Sequence, residues 1–483
     1  MTKAYEINTV LWLRELSDKY SKPVTLANVP GREWDRLKRL GCDYVWLMGV
    51  WQRSRIGKRV ATELAELHPC YAAALPDWTP EDIAGSPYSI EAYRPDDAIG
   101  DWTALDGARE QLGRRGIGLV LDLVANHTGI DFPWIKRNPE RYLQATDRSD
   151  RDPSHFVEVT SQGRSVRLAK GRDPYFPPWH DTAQLNIFSA STRKALMRLV
   201  KDIGKHCDGL RCDMAMLLLT DIFYNTWEDL QVGAAPATEF WADVIGANRR
   251  LLWIGEAYWD TEWKLQQLGF DFVYDKRMYE RLRYGGPEDV KAHLQADLSF
   301  QEKLVRFLEN HDEERSVAVF ESTRLRAASV IAATIPGMTM YHQGQLEGRR
   351  TRIPLQLRRS AAEPADEELQ AFYQELLRIT RDSAFKSGEW ELLYPTSAGD
   401  ETYRNVVAYA WRASGRLKVV TVNFSGDWGQ ARIPLKLRAS SGNYRLKDEL
   451  TGEVYDRDSG ELANPGLHVL LNGYQSHIFD IRL

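Results

Sequence analysis

A chain of 483 residues, of which 43% are apolar, is long enough for one large domain and one or two smaller ones. Its formal net charge of −5 argues against a nucleic-acid-binding protein, which would present a basic face. The sequence contains no signal peptide and no run of about 20 apolar residues that could span a membrane, so we expect a cytoplasmic protein without a membrane partner.

Short apolar runs alternate with longer helical patterns from the N-terminus to about residue 384. The runs predict eight strands, at 9–13, 44–51, 119–124, 209–214, 251–257, 270–275, 304–310 and 338–344. A helix is predicted after each strand, at 31–41, 101–116, 191–207, 238–250, 261–269, 287–295, 322–334 and 365–381. The strands are nearly continuous apolar runs, as expected where both faces of a sheet are covered. Eight such units in series predict an α/β fold, a (β/α)8 TIM barrel, rather than an open sheet.

Two segments depart from this alternation of strands and helices and divide the chain. Residues 128–187, between the third strand and its helix, are rich in Pro, Asp, Arg and aromatic residues, and so long a loop is usually functional or a subdomain. After about residue 385 the pattern becomes alternating, with strands predicted at 405–413, 417–425, 430–437 and 468–483. We therefore expect a barrel formed by 1–127 and 188–384, an inserted domain at 128–187, and a C-terminal antiparallel β-sandwich at 385–483.

Charged residues stand at the carboxyl ends of the predicted strands, where a barrel carries its functional groups. Arg211 and Asp213 lie on one face of strand 4, Glu256 follows strand 5, and Asp312 follows strand 7. Taken singly, each has an ordinary interpretation: a structural ion pair, a strand-end glutamate, and an aspartate in a turn or helix cap. Taken together, however, the order of these residues, the strands that they follow and their spacing predict three carboxylates at one mouth of the barrel.

Three carboxylates at one rim fit either a divalent-metal site or acid–base chemistry. They are scattered along the chain rather than clustered with His or Lys ligands, which favours acid–base chemistry. Cleavage of a glycosidic bond needs one protonated acid that assists the leaving oxygen and one ionised carboxylate that attacks or activates water. Arg211, on the same strand face as Asp213, would keep that aspartate ionised and in place.

Four segments, in this order, resemble those that characterise the α-amylase family, glycoside hydrolase family 13. They are "DLVANH" (122–127), "GLRCDMA" (209–215), "GEA" (255–257) and "ENHDEER" (309–315). Two further segments resemble the family less closely, "QLN" (184–186) and "TIPGMTMYHQGQLEG" (334–348). The resemblance covers nearly the whole chain, including the insertion and the C-terminal sandwich.

The resemblance implies a retaining mechanism and a role for each matched residue. Asp213 would be the nucleophile, Glu256 the general acid and base, and Asp312 would stabilise the transition state. Five further residues would contact or orient the reacting groups: Tyr88, His127, Arg211, His311 and Arg315. Asp122 is expected to be structural.

The chain also departs from the family pattern. Met216 and Leu217 stand where many amylases carry a Lys-His pair near the acceptor subsites, so acceptor binding should differ from that of a typical amylase. Asn126 matches a residue that ligates calcium in some members, but no Asp-rich calcium pattern follows strand 1, and we assign no metal and no cofactor. Glu347, preceded by an inserted Leu346, has no assigned role.

The resemblance favours a glycoside hydrolase that cleaves α-glucosidic bonds in malto-oligosaccharides or related α-glucans. A transglycosylase, phosphorylase or isomerase with the same intermediate is the alternative, since the choice depends on acceptor access and water exclusion. A non-catalytic amylase-like binding protein is disfavoured because Asp213, Glu256 and Asp312 are all present. The oligomeric state is left open.

Overall fold

Eight parallel strands form a closed barrel, as the sequence predicted. The computed structural model describes residues 1–145, 152–161, 163–230, 232–437 and 442–483. The barrel strands are β1 (Thr2–Asn8), β2 (Tyr44–Met48), β3 (Gly118–Leu123), β4 (Gly209–Cys212), β5 (Leu252–Gly255), β6 (Phe272–Tyr274), β7 (Leu304–Arg306) and β8 (Met338–His342). Each strand pairs with its neighbours in sequence, and β8 pairs with β1 to close the barrel.

The predicted position of the first strand is wrong. The run at 9–13 is the start of a helix, Thr9–Tyr20, and β1 precedes it. Lys3 and Glu6 interrupt the apolar pattern of β1, although both are buried in the structure. A buried strand that contains charged residues does not show the continuous apolar run by which the other barrel strands were recognised.

Helices follow the barrel strands as expected. The longer ones are Thr9–Tyr20, Gly31–Leu40, Arg55–Glu63, Trp102–Gly113, Ala190–Ile203, Thr220–Trp227, Phe240–Ala247, Lys276–Tyr284, Pro287–Leu294, Ser322–Thr334 and Glu367–Ile379. Shorter ones are His68–Ala74, Pro133–Arg137, Glu262–Gln267, Leu298–Gln301, Ser316–Val319, Ser383–Ser387 and Ser459–Ala463. Lys276–Tyr284 was not predicted, because its sequence "KRMYERLRY" carries few apolar residues. Within the described ranges, no helix has both the length and the apolar character needed to cross a membrane.

The segment inserted after β3 is built on short antiparallel ladders. His127–Gly129 pairs with Thr182–Gln184, so the insertion begins and ends on the same ladder. A hairpin of Phe156–Ser161 and Arg164–Ala169 lies between them. This arrangement places His127 directly beside the carboxyl end of β3.

The C-terminal strands form an antiparallel sandwich, which confirms that part of the fold prediction. They are β9 (Glu389–Leu393), β10 (Val406–Ala413), β11 (Arg416–Asn423), β12 (Gly429–Ile433), β13 (Asn443–Asp448), β14 (Val454–Asp458), β15 (Leu467–Leu471) and β16 (Ser476–Arg482). Six strands form one sheet in the order β9-β10-β11-β16-β13-β14, and β12 pairs with β15 in a second sheet. Ala408 and Val419 of the first sheet share an apolar core with Ile433 and Val469 of the second. The predicted run at 468–483 contains two strands, β15 and β16, rather than one.

By its internal contacts the chain divides into two compact units. The first comprises Met1–Ala4, Asp275–Thr351 and Glu363–Leu483, and the second comprises Tyr5–Tyr274 and Arg352–Ala362. The first unit contains β7, β8 and the sandwich, and the second contains β2 to β6. The domain boundaries expected from the sequence stay predictions.

Candidate active site

Arg211 and Asp213 are positioned by β4, the short strand that opens "GLRCDMAM". All four residues of β4 are buried, and Arg211 lies opposite Asp122 on β3 and Ile254 on β5. The backbone N–H of Asp213 donates to the carbonyl of Leu123 at 2.9 Å, which continues the ladder past the strand. Because side chains alternate along a strand, Arg211 and Asp213 point to the same side.

Arg211 joins two of the predicted carboxylates. Its Nη1 donates to Asp213 Oδ1 at 2.7 Å, and its Nη2 lies 2.8 Å from Glu256 Oε2. All three side chains are buried. Burial acts to lower the pKa of Arg211, but the charge of Glu256, with smaller effects from its other neighbours, raises that pKa well above the ordinary value. The guanidinium is therefore a permanent cation between the two acids.

Glu256 is held by a turn of unusual backbone. Its N–H donates to the carbonyl of Cys212 at 3.0 Å, its Oε2 accepts from the N–H of Met214 at 2.6 Å, and its Oε1 accepts from the Tyr258 hydroxyl at 2.8 Å. Met214 has φ 43° and ψ 48°, in the left-handed region that residues other than glycine rarely adopt. This conformation aims the Met214 N–H at Glu256, as expected where strain is retained at a functional site.

Three aromatic rings surround the Arg211 guanidinium. Its central carbon lies 5.0 Å from the ring centroid of Trp46, 5.4 Å from that of Tyr88 and 5.5 Å from that of Tyr274. Its Nε also donates to the Tyr274 hydroxyl at 3.3 Å. The negative faces of the rings stabilise the cation. Tyr88, which the resemblance implies would contact or orient the reacting groups, thus lies beside the guanidinium that joins the two carboxylates.

Asp122 supports the loop that follows β2. Its Oδ2 accepts from the N–H of Gly49 at 2.8 Å, and its Oδ1 accepts from Trp46 Nε1 at 3.1 Å. The carboxylate is buried, and both of these contacts hold protein groups in place. This environment agrees with the structural interpretation of Asp122.

His127 is buried and forms a hydrogen bond with the backbone of Tyr88. Its ring centroid lies 4.9 Å from that of Trp179, in the inserted segment. Burial lowers the pKa of His127 to about 4, and a hydrogen bond with the backbone of Tyr88 opposes this only in part. The imidazole is therefore neutral at physiological pH and links the insertion to the Tyr88 segment. Trp179 was missed by the sequence analysis, since a tryptophan within an irregular segment carries no motif.

His311 and Asp312 follow β7 and lie in the first compact unit. His311 Nε2 is 3.0 Å from Asp312 Oδ2, and the aspartate side chain is 44% exposed while the histidine is buried. Asn310 Oδ1 accepts from the N–H groups of Asp312 and Glu313, both at 2.9 Å. The turn thus exposes the Asp312 carboxylate to solvent, while His311 contacts its Oδ2 atom.

Arg315 is placed in a buried network behind that turn. Its Nη1 donates to Glu309 Oε1 at 2.6 Å and to the Gln343 carbonyl at 2.8 Å, and its Nε donates to the Thr351 carbonyl at 3.2 Å. Burial would raise the pKa of Glu309, but Arg315 and His342 lower it to about 2. These contacts are with the protein itself and hold the segment that carries Asp312. The substrate contact expected of Arg315 stays a prediction.

The Alpha amylase, catalytic domain family matches residues 33–399, most of the chain. The chain belongs to the α-amylase family. An α-amylase of Haloarcula japonica is 26% identical over 354 residues, which are 71% of this chain and 48% of that protein. An oligo-1,6-glucosidase of Parageobacillus thermoglucosidasius is 27% identical over 199 residues, 38% of this chain and 30% of that protein. The chain therefore matches about half of the length of these curated relatives, or less.

Solved structures share the fold of this α-amylase family member over its whole length. A noncanonic maltogenic α-amylase of Thermotoga neapolitana has a TM-score of 0.70 at 17% identity, with 100% of this chain and 99% of that chain covered. An α-amylase of Geobacillus thermoleovorans, complexed with acarbose, has a TM-score of 0.69 at 16% identity, with 100% and 98% covered. At such identities the likeness shows the fold alone.

An exposed aromatic pair, one member of which follows Glu256 by three residues in the chain, was also missed by the sequence analysis. Tyr175, in the inserted segment, is 69% exposed, and its ring centroid lies 4.9 Å from that of Trp259 at an interplanar angle of 75°. Trp259 and Asp260 both have left-handed backbone, with φ 60° and 62°. Trp259 comes three residues after Glu256, and this tryptophan beside a strand-end acid is the signal that could have identified the pair.

The other departures from the family pattern have structural counterparts. Met216 and Leu217 are buried, so the positions of the usual Lys-His pair contribute core side chains here. The Asn126 amide exchanges hydrogen bonds with Gln184, at 3.3 Å and 3.0 Å. In the parts of the chain that the structure describes, no group of three or more His, Cys, Asp or Glu side chains is arranged to hold a metal ion.

Proposed function

We propose that this member of the α-amylase family is a retaining glycoside hydrolase that cleaves α-glucosidic bonds in malto-oligosaccharides or related α-glucans. The observation that carries the proposal is the buried contact of one guanidinium with both Asp213 and Glu256. Two carboxyl groups bound to the two terminal nitrogens of one arginine must lie close together. Such proximity fits the separation of about 5 Å in retaining enzymes better than the wider gap of inverting ones.

In the first step an Asp213 carboxylate oxygen attacks the anomeric carbon, and the bond from that carbon to the leaving oxygen breaks. Glu256 gives its proton to that oxygen, which leaves as an alcohol. Oε2 of Glu256 accepts from the Met214 N–H and lies 2.8 Å from Arg211 Nη2, so we place the transferable proton on Oε1. The hydroxyl of Tyr258, which contacts Oε1, can accept a hydrogen bond as well as donate one.

In the second step water replaces the alcohol. The Glu256 carboxylate takes a proton from the water, whose oxygen attacks the anomeric carbon and displaces the Asp213 carboxylate. Arg211 stabilises the negative charge that returns to Asp213, because its Nη1 already lies 2.7 Å from Asp213 Oδ1. We assign Asp312 to the sugar hydroxyls, since its carboxylate is partly exposed and oriented by His311.

Asp213→Asn tests the nucleophile. The amide cannot attack, so turnover of malto-oligosaccharides should fall by about 10³-fold or more while the fold is retained. Asp202→Asn, at an exposed helix position, is the matched control and should keep full activity. The anomer released first, followed by NMR, should have the α configuration. Near-normal turnover by Asp213→Asn, or initial release of the β anomer, would refute the proposal.

A transglycosylase with the same intermediate is the second candidate, and the Tyr175–Trp259 pair favours it. Trp259 follows the acid by three residues, and the exposed aromatic faces of the pair can bind the ring of an acceptor sugar and exclude water from it. Incubation with malto-oligosaccharides, sucrose and trehalose, with and without phosphate, separates the candidates by their products. Shorter sugars alone support hydrolysis, whereas longer or rearranged sugars, or sugar phosphates, support transfer.

Trp259→Ala makes this distinction specific to the aromatic pair. If acceptor sugars bind there, the ratio of transfer to hydrolysis should fall several-fold in Trp259→Ala. Trp263→Ala, at another exposed tryptophan, is the control and should leave the ratio unchanged. An unchanged ratio in Trp259→Ala would exclude the pair as the acceptor site.

A further inference from the structure

A cavity lies in the first compact unit, lined by residues far along the chain from Asp213 and Glu256. It has a volume of about 580 Å³, within the range of roughly 300–1,000 Å³ that small-molecule sites occupy. Helices Ser322–Thr334 and Glu367–Ile379 form one wall, and the turn before β16 forms the other. The side chains that matter are Arg326, Glu368, Phe372, Glu375, Tyr474 and Ser476.

Tyr474 is held in this cavity by a constrained turn. Its backbone has φ 58°, and its N–H donates to the Ser425 carbonyl at 2.9 Å. Its hydroxyl accepts from Arg324 at 3.4 Å, and the edge-to-face contact with Phe424 has a centroid distance of 6.0 Å. A non-glycine residue persists in left-handed backbone only where its surroundings impose it. The ring is therefore oriented before any ligand binds, which reduces the entropy lost on binding.

Phe372 supplies a second ring, and polar groups surround both. The Arg326 guanidinium lies 5.4 Å from the Phe372 ring centroid and pairs with Glu368 at 3.4 Å. Glu375 lines the same wall, and its two carboxylate oxygens accept from Arg378 at 2.6 Å and 2.8 Å. Ser476 Oγ is buried and has no hydrogen-bond partner among the described residues. The cavity thus combines aromatic faces, carboxylates and an unsatisfied hydroxyl.

We propose that this cavity is a second binding site for an α-glucan, distinct from the site that carries Asp213 and Glu256. A glucosyl ring presents C–H groups on its faces, which suit the negative faces of Tyr474 and Phe372. Its hydroxyls can donate to Glu368 and Glu375 and pair with the otherwise unsatisfied Ser476. A purely apolar ligand would leave the Ser476 hydroxyl unpaired, whereas a neutral polyhydroxylated ligand can use it without displacing the Arg326–Glu368 and Glu375–Arg378 pairs. The ligand class rests on the proposed function, but the site does not depend on the catalytic residues.

The test combines Phe372→Ala with Tyr474→Ala in the full chain. Migration in native gels that contain glycogen measures polysaccharide binding, and turnover of a short chromogenic maltoside measures the catalytic site alone. Loss of two stacking contacts should raise the apparent Kd for glycogen about tenfold. Turnover of the maltoside should stay within twofold. Tyr394→Ala is the matched control, because Tyr394 is exposed in the same unit but does not line the cavity.

The outcomes of these measurements decide whether the cavity binds an α-glucan. Weaker glycogen binding in the double variant, with Tyr394→Ala unchanged, supports the second site. Unchanged binding in the double variant, equal weakening in Tyr394→Ala, or no binding of the unsubstituted protein overturns it. If the maltoside is not hydrolysed but glycogen binding depends on Phe372 and Tyr474, the second site stands and the proposed function fails. Phe372→Ala alone, which leaves the Tyr474 turn intact, provides the same readout should the double variant fold poorly.

Discussion

Arg211 is costly to bury, and its surroundings explain why it remains buried. Desolvating a guanidinium costs several kcal/mol unless paired charges and hydrogen bonds offset it. Here Asp213 and Glu256 supply the charges, and the ring centroids of Trp46 and Tyr88 lie 5.0 Å and 5.4 Å from the central carbon of the guanidinium. The same contacts that stabilise the cation hold both carboxylates on one guanidinium.

The pH dependence of stability should contain a contribution from His127. Its pKa is about 4 in the folded protein, because burial disfavours the charged ring, and 6.5 in the unfolded chain. Between these values the unfolded chain binds a proton that the folded protein does not. The unfolding free energy should therefore fall as the pH is lowered from 6.5 towards 4, by about 2 kcal/mol at pH 4.5.

Urea unfolding of His127→Gln at pH 7 and pH 4.5 measures this contribution. The variant should lose less stability than the unsubstituted protein between the two pH values, by the same amount of about 2 kcal/mol. His180→Gln, at an exposed histidine, is the control for the loss of an imidazole as such. Identical pH dependence in His127→Gln and the unsubstituted protein would contradict the assignment.

At the scale of single elements, β4 has no room for a side chain at its first position. A Cβ atom on Gly209 would lie 2.8 Å from Leu252 Cβ and 2.9 Å from the Leu252 carbonyl oxygen, both on β5. Because the second contact is with backbone, Gly209→Ala must push β4 and β5 apart. We expect the unfolding free energy to fall by about 2–3 kcal/mol and activity to fall with it, since Asp213 and Glu256 follow these strands.

Chemical denaturation of Gly209→Ala checks this expectation. Gly246→Ala is the matched control, because Gly246 lies in helix Phe240–Ala247 and a Cβ there meets no atom within 4 Å. Alanine is the better helix former, so the control should gain roughly 0.5–1 kcal/mol. A Gly209→Ala variant as stable as the unsubstituted protein would show that the two strands can separate without cost.

Elements whose burial follows the apolar pattern were predictable, and those that depend on distant partners were not. Strands β2 to β8 were located because nearly continuous apolar runs mark strands covered on both faces. β1 was misplaced because Lys3 and Glu6 are buried there against the usual preference. Among the C-terminal strands, β14 was missed because its sequence "VYDRD" is largely polar and partly exposed.

The candidate site divides in the same way. Motif spacing predicted Arg211, Asp213 and Glu256, and the structure brings these three together. Their supporting contacts come from the Met214 backbone and from Tyr274, at the end of β6. No local pattern signals such partners, because left-handed backbone and contacts between separate strands arise only from the tertiary fold.

At the scale of the whole molecule, Lys418 ties the segment after the last barrel helix to the sandwich. Its side chain is fully buried, and its Nζ lies 2.6 Å from Glu449 Oε2 and 3.1 Å from both Asp382 Oδ2 and Asp480 Oδ1. Burial opposes ionisation of Asp382 and Asp480, but Lys418 and Arg416 help to lower the pKa of both carboxyls. Asp382 precedes helix Ser383–Ser387, whereas Lys418 and Asp480 lie on β11 and β16. One ammonium group therefore holds three separate segments.

Lys418→Met should destabilise the protein by about 3 kcal/mol or more at neutral pH, because three carboxylates lose their common counter-charge. The loss should shrink as the pH falls below about 4, since the lowered pKa values stabilise the folded protein only while these carboxyls are ionised. Lys205→Met is the matched control, because Lys205 pairs with Asp202 at an exposed position and should cost less than about 1 kcal/mol. Denaturant unfolding at pH 7 and at about pH 3 measures both variants. Equal small losses in the two variants would mean that Lys418 does not hold the segment after the last barrel helix to the sandwich.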